Sequence, residues 1–246
     1  MTVVPSSYIA TRDALRRIAA HVLARAQFAS IGRIGLRATP GGFGTVQFGA
    51  ERTRLRISGA LLVRETGDPS GIRAVPLAHT TLTQLADFAA VDLSEEFSVG
   101  HDTPPLGDVD AAIDIDGAAV AVMGEWYALT ARALDATVAA HGDAGAATVA
   151  QLWPEHFDLA LDLAYDPTAP GEHRVNLGGA PGDAFHAEPY LYVGPWTSDR
   201  PGDPEFWNAP FGAFLPYDEV MTAHDPLLEA ISFFEHGVHR LGAAAS

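Results

Sequence analysis

Between His156 and Val193 apolar and polar residues alternate in three short runs. Phe157, Leu159, Leu161 and Leu163 share one parity; His156, Asp158, Ala160 and Asp162 share the other. Side chains of a strand point alternately to its two faces, so this run predicts a strand with one aliphatic face. Residues 174–178 repeat the pattern, with Val175 and Leu177 inward and Arg174 and Asn176 outward. Residues 188–193 set Leu191 and Val193 against Glu188, Tyr190 and Tyr192. Turn-rich links at 165–171 and 180–183 separate the three runs. The pattern predicts an antiparallel sheet with a leucine and valine core face. Its second face carries His, carboxylates, Asn, Arg and two Tyr.

The rest of the chain alternates between helical and strand periods. Thr11 is the predicted N-cap of a helix to about Phe28, with Leu15, Ile18, Ala19, Val22 and Ala26 as its apolar stripe. Residues 31–38, 45–48 and 53–63 read as strands, the first turn being Pro40-Gly41-Gly42. Arg52, Arg54 and Arg56 then share one face of their strand. A short helix is predicted at 82–90 and a long one at 118–140, and Asp225-Pro226 opens the last helix. Residues 93–110 are polar and rich in Gly and Pro, as a linker would be. Asp114-Ile115-Asp116-Gly117 matches half of a calcium loop. Ala112 and Met123 break the remainder, so the segment reads as a turn or short strand.

Both halves therefore run helix, three strands, helix. The fold class is α+β, with two similar antiparallel sheet units flanked by helices. The hairpin segments 40–49 and 170–178 look alike, which suggests an internal duplication; hairpins of unrelated origin also look alike. The units are expected at 1–94 and 111–246, joined by a linker at 95–110, either as two domains or packed as one.

Composition narrows the partners. The chain has 246 residues, 48% hydrophobic and 19% charged, which is globular. No apolar run reaches membrane-spanning length and no signal-peptide pattern opens the chain, so a cytoplasmic location is expected. A net charge of −16 argues against nucleic acid or an anionic membrane as partner. Residues 1–75 hold eleven Arg and four carboxylates, a net of +7, which leaves −23 for the remainder. All basic residues are Arg, so Schiff-base chemistry and a phosphate-loop lysine are excluded. The absence of Cys excludes disulfides and thiolate ligands.

Parity points to one candidate site. His156 and Asp158 share a face of one predicted strand, and His186 and Glu188 share a face of the next. Imidazole and carboxylate together suit a divalent metal or acid–base work. His156 and Asp158 are the candidate catalytic pair. His156, Asp158, His186 and Glu188 are the candidate metal ligands. Glu188, Tyr190, Tyr192, Trp196 and Asn176 are candidates for binding a small molecule. The plainer alternative is a solvated sheet face with ion pairs. His236 and His239, one turn apart on the last helix, suit its C-terminal end without any ligand.

At several points the chain resembles a bacterial family of uncharacterised proteins, a domain of unknown function. The shared features are Trp153 with His156-Phe157-Asp158-Leu159-Ala160, Pro181-Gly182, Pro189-Tyr190 with Tyr192, Phe214-Leu215-Pro216-Tyr217, and Asp225-Pro226. Trp126-Tyr127 is a weaker match. The resemblance covers chiefly residues 153–226 and implies a shared α+β fold. It implies no activity, because none is established for that family. Two function classes stand at this point. One is a small-molecule enzyme or metalloprotein using the His156 and Asp158 face. The other is a non-catalytic small-ligand-binding or protein-interaction protein with an aromatic-lined pocket. Whether the chain is an enzyme, and its oligomeric state, are not fixed by these residues.

Overall fold

Among the described residues the strands close into two antiparallel meanders. The computed structural model describes residues 3–141, 147–166 and 173–245. The first sheet comprises β1 (Arg37–Thr39), β2 (Gly42–Gly44), β3 (Arg54–Ser58), β4 (Leu61–Glu65) and β5 (Arg73–Pro76), in chain order. The second comprises β6 (Gln151–Trp153), β7 (Asp158–Ala164), β8 (Arg174–Ala180), β9 (Tyr190–Pro195) and β10 (Ala213–Pro216), again in chain order. The fold is α+β, and the two sheets fit the duplication suggested by the sequence. Each has five strands rather than three. The expected strand at 53–63 is a hairpin, because Gly59 turns the chain with φ 55. Residues 170–172, the start of the second hairpin segment, lie outside the described residues.

Helices precede and follow each sheet: α1 (Tyr8–Ile18), a π-helical turn (Ala19–Ala24) and α2 (Arg25–Ile31), then α3 (Leu82–Ala89), α4 (Gly117–Ala140), α5 (Tyr217–Thr222) and α6 (Pro226–Ala245). The first helix begins a turn before Thr11. Thr11 is buried inside it, and its hydroxyl accepts the Asp116 N–H at 3.1 Å. Asp116 in turn accepts the Ala118 N–H at the start of α4, which is why the Asp-rich segment before that helix ends as a cap. Asp225 caps α6 as expected, accepting the N–H groups of Leu227 and Leu228.

The chain divides into two compact units, Val3–Ala128 with Leu152–Asp158, and Leu129–Gln151 with Leu159–Ser246. The boundaries fall within α4, β6 and β7, so the β6–β7 turn belongs to the N-terminal unit. Residues 95–110 belong wholly to the N-terminal unit. In that unit Leu55 and Ile57 face the core from β3. Arg54 and Arg56, on the other parity, both meet Glu65 of β4. Arg52 sits in the preceding turn at φ 52 and donates to Gln47, so it does not extend that basic row.

In the C-terminal unit the sequence parity holds across the sheet. Leu161, Leu177 and Val193 stand in register on the core face. There α6 lies so close to β9 that a Cβ at Gly237 would meet Val193 Cγ1 at 2.7 Å. The opposite face carries the row Ala160, Gly178, Tyr192 and Phe214. Among the described residues no helix is long and apolar enough to cross a membrane.

Phe157 and Leu159 are each 1% exposed. Truncating a buried leucine removes its transfer free energy and leaves a cavity, so Leu159→Ala is expected to cost about 2–5 kcal/mol. Urea unfolding reads this directly. A loss near the few tenths of a kcal/mol typical of surface sites contradicts the assigned face.

Candidate functional site

The turn between β6 and β7 departs from the expected strand at Phe157. Its backbone is left-handed, φ 62, which is rare for a bulky residue. The Phe157 N–H closes the turn on the Trp153 carbonyl at 2.6 Å. The Phe157 carbonyl accepts from the buried Tyr127 hydroxyl, also at 2.6 Å. The Phe157 ring packs edge-on against Phe43 and Tyr127, with centroids 5.1 and 5.9 Å away. Burial holds the Tyr127 phenol well above its usual range, and the nearby Tyr8 and Asp158 push it the same way.

This turn separates two residues that alternation had placed together. The left-handed step at Phe157 leaves the His156 side chain 60% exposed. Asp158, next along, is buried at the start of β7. The other two expected ligands, His186 and Glu188, lie on the loop between β8 and β9, because β9 begins only at Tyr190. Strand alternation therefore does not reach them. The His186 N–H is held by Asp183, and its ring stands 5.6 Å from that of Phe214; Glu188 is exposed.

Among the described residues, the His and carboxylate donors that converge are Asp102, Glu155 and His156. Their ligand atoms all lie within 4.8 Å of one another. His156 Nδ1 is 3.9 Å from Asp102 Oδ2, and His156 Nε2 is 4.0 Å from Glu155 Oε2. The second oxygen of each carboxylate is already held. Glu155 Oε1 accepts the Asp102 N–H at 2.8 Å, and Asp102 Oδ1 faces His101 Nδ1 at 3.1 Å. The hydrogen bond from His101 holds the Asp102 carboxyl below its ordinary range, with smaller help from the charges of His101, His156 and Arg16.

Asp102 reaches this position because residues 95–108 form a strap rather than a free linker. Four basic side chains of the first helical segment bond to its main-chain carbonyls. Arg25 donates to Glu95 O at 2.8 Å, Arg16 to Asp102 O at 2.6 Å, and Arg17 to Asp108 O at 2.7 Å. His21 Nε2 meets Pro104 O at 2.7 Å. Arg16 also donates to the Glu155 carbonyl, 3.0 Å from its Nε. One guanidinium thus fastens the main chain of both carboxylate residues. Gly100 completes the cradle: at φ 148, a Cβ there would fall 2.0 Å from Glu155 Oε2.

The remaining predicted binders share the outer face of the C-terminal sheet. The Trp196 indole N–H donates to Asn176 Oδ1 at 3.1 Å, and the Arg174 guanidinium lies over the Trp196 ring at 5.9 Å. Tyr192 lies over Gly178, and Tyr190 is buried with its hydroxyl donating to Asp183 at 2.7 Å. Neither Asp102 nor Glu155 was an expected ligand. The signal that finds them is a pair of adjacent His and acid residues, His101-Asp102 and Glu155-His156, each in a turn-rich stretch. Comparison with protein-family models, curated proteins and solved structures finds no match to this chain.

Two outcomes test this assembly. Tyr127→Phe leaves the buried Phe157 carbonyl without its donor and is expected to cost about 1–3 kcal/mol in urea unfolding; no loss contradicts the pinning bond. His21 is buried, and desolvation lowers its pKa, assisted by Arg17 and Arg25 and opposed by the Pro104 carbonyl. A histidine with a lowered folded pKa stabilises fully above its unfolded value of about 6.5 and loses that contribution as pH falls through the folded value. Gln keeps a side-chain N–H for the Pro104 carbonyl. In His21→Gln the unfolding midpoint is expected to fall less steeply below about pH 6.5 than in the wild type. Parallel curves refute the buried neutral imidazole.

Proposed function

We propose that this protein binds a divalent metal ion at Asp102, Glu155 and His156, as a metalloprotein acting on or presenting a small molecule. One observation carries the reading. Each carboxylate has one oxygen fixed by a protein N–H and turns the other toward the same imidazole. That is how outer-shell hydrogen bonds orient metal-binding carboxylates. The main chain beneath is held by Arg16, so the donors are arranged before an ion arrives. His156 and Asp102 are 60% and 57% exposed, which leaves coordination positions open to solvent or substrate. An imidazole with two carboxylates suits zinc, manganese or iron.

Isothermal titration with Zn²⁺ and Mn²⁺ tests this. The wild-type protein is expected to bind one ion per chain. Glu155→Gln, which can still accept the Asp102 N–H, and His156→Ala are expected to weaken binding by about tenfold or more. The ion is also expected to raise the melting temperature, since it binds the folded state alone. No binding by the wild type, or unchanged binding by both variants, removes the reading.

A second reading rests on the C-terminal sheet. Trp196 is 58% exposed, linked to Asn176, and shares its face with Tyr192. Such a platform suits a flat organic ligand. Native mass spectrometry of protein prepared without added metal or chelator separates the two. A retained ion mass supports the first, and a retained organic mass supports the second.

A further inference from the structure

Two dipeptides face one another at the candidate site, His101-Asp102 on the strap and Glu155-His156 on the turn. Each brings one carboxylate and one imidazole. Three of these four side chains form the convergent set; His101 stands beside it, 96% exposed, with Nδ1 3.1 Å from Asp102 Oδ1. We propose that His101 is the fourth donor, and that the site therefore takes a four-coordinate ion of the zinc class rather than magnesium or calcium. This rests on the cation-binding reading above.

The spacing supports it. Donors bound tetrahedrally at about 2.0–2.1 Å stand about 3.3 Å from one another. His101 Nδ1 already stands 3.1 Å from Asp102 Oδ1, and a turn of its side chain would exchange that hydrogen bond for an ion held at Asp102 Oδ2. The other donors need to close from within 4.8 Å, and His156 and Asp102 are exposed enough to move. The main chain beneath His101 is fixed, so only its side chain has to turn. Thr103 Oγ1 accepts the N–H groups of Val99 and Gly100 at 2.9 and 3.1 Å and donates to the Gly100 carbonyl at 2.6 Å.

The donor set also selects among ions. Magnesium and calcium take about six to eight oxygen ligands, and two imidazoles oppose them. Zinc, cobalt and nickel accept mixed nitrogen and oxygen sets.

Cobalt(II) is the probe, because four-coordinate Co²⁺ absorbs visible light far more strongly than six-coordinate Co²⁺. Titration of the metal-free wild-type chain is expected to develop the intense four-coordinate bands, undiminished by a large excess of Mg²⁺ or Ca²⁺. His101→Ala is expected to bind Co²⁺ about tenfold or more weakly and to show only the weak six-coordinate spectrum. Its melting temperature without metal should match the wild type, because the side chain is almost wholly exposed. A wild-type spectrum and affinity in His101→Ala overturn the fourth-donor assignment while leaving the three-donor site standing. Displacement by Mg²⁺ or Ca²⁺ overturns the selectivity. No Co²⁺ binding by the wild type removes the cation-binding reading itself, and this inference with it.

Discussion

A single buried bond, from the Tyr127 hydroxyl to the Phe157 carbonyl, fixes the turn on which the candidate site is built. Left-handed backbone at a bulky residue costs about 1–3 kcal/mol and persists only where its surroundings enforce it. Here Phe43, Tyr127 and Phe157 form three mutual edge-on contacts. Such contacts contribute about 0.5–1.5 kcal/mol each beyond the area they bury. Together with a satisfied carbonyl they offset the strain. The result is a reversal of facing within three residues. His156 is pushed to the surface, the Phe157 ring is buried, and Asp158 enters the sheet.

The strap poses the opposite problem, since an irregular segment has no ladder to satisfy its carbonyls. Buried or half-buried main-chain groups must find donors somewhere. An Arg guanidinium offers five N–H groups, so one side chain can serve two carbonyls. Arg16 does so for Asp102 and Glu155. Elsewhere the chain uses Arg in the ordinary way, pairing Arg56 with Glu65 and Arg174 with Asp162. Along the first helical segment Arg16, Arg17 and Arg25 go to carbonyls instead. The neighbouring carboxylates are therefore oriented by N–H groups without being neutralised by a guanidinium pair.

Much of the fold was legible because strand parity and helix caps are local. The leucine and valine face of β7 to β9 follows from alternation, and the α6 start follows from Asp225-Pro226. Short edge strands such as β5 and β10 carry too few residues to show a period, and Gly59 hid a hairpin inside what read as one strand. The site was legible only at His156. Parity failed at Phe157, where φ is positive, and nothing local in that residue announces it; the cause is Tyr127, thirty positions away. Residues 95–110 read as a linker because Gly and Pro are all that sequence shows there. What makes them a strap is four donors from a helix some eighty residues earlier.

The placement of the site sets what an ion there can and cannot do. Structural zinc sites are enclosed, and their metal supplies the folding free energy of domains with little core. This unit has a core of its own: Leu15, Ile18, Val22, Leu55, Ile57 and Phe43 are buried without reference to the site. Its exposed donors would exchange an ion with solvent, so the fold does not depend on occupancy. What occupancy changes is local. Asp102 rides on the strap, and Glu155 and His156 ride on the pinned turn. An ion shared among them would add a direct link between two segments now joined through Arg16 and the Asp102 N–H. An ion there would therefore couple the strap, through Asp102, to a turn already pinned by Tyr127.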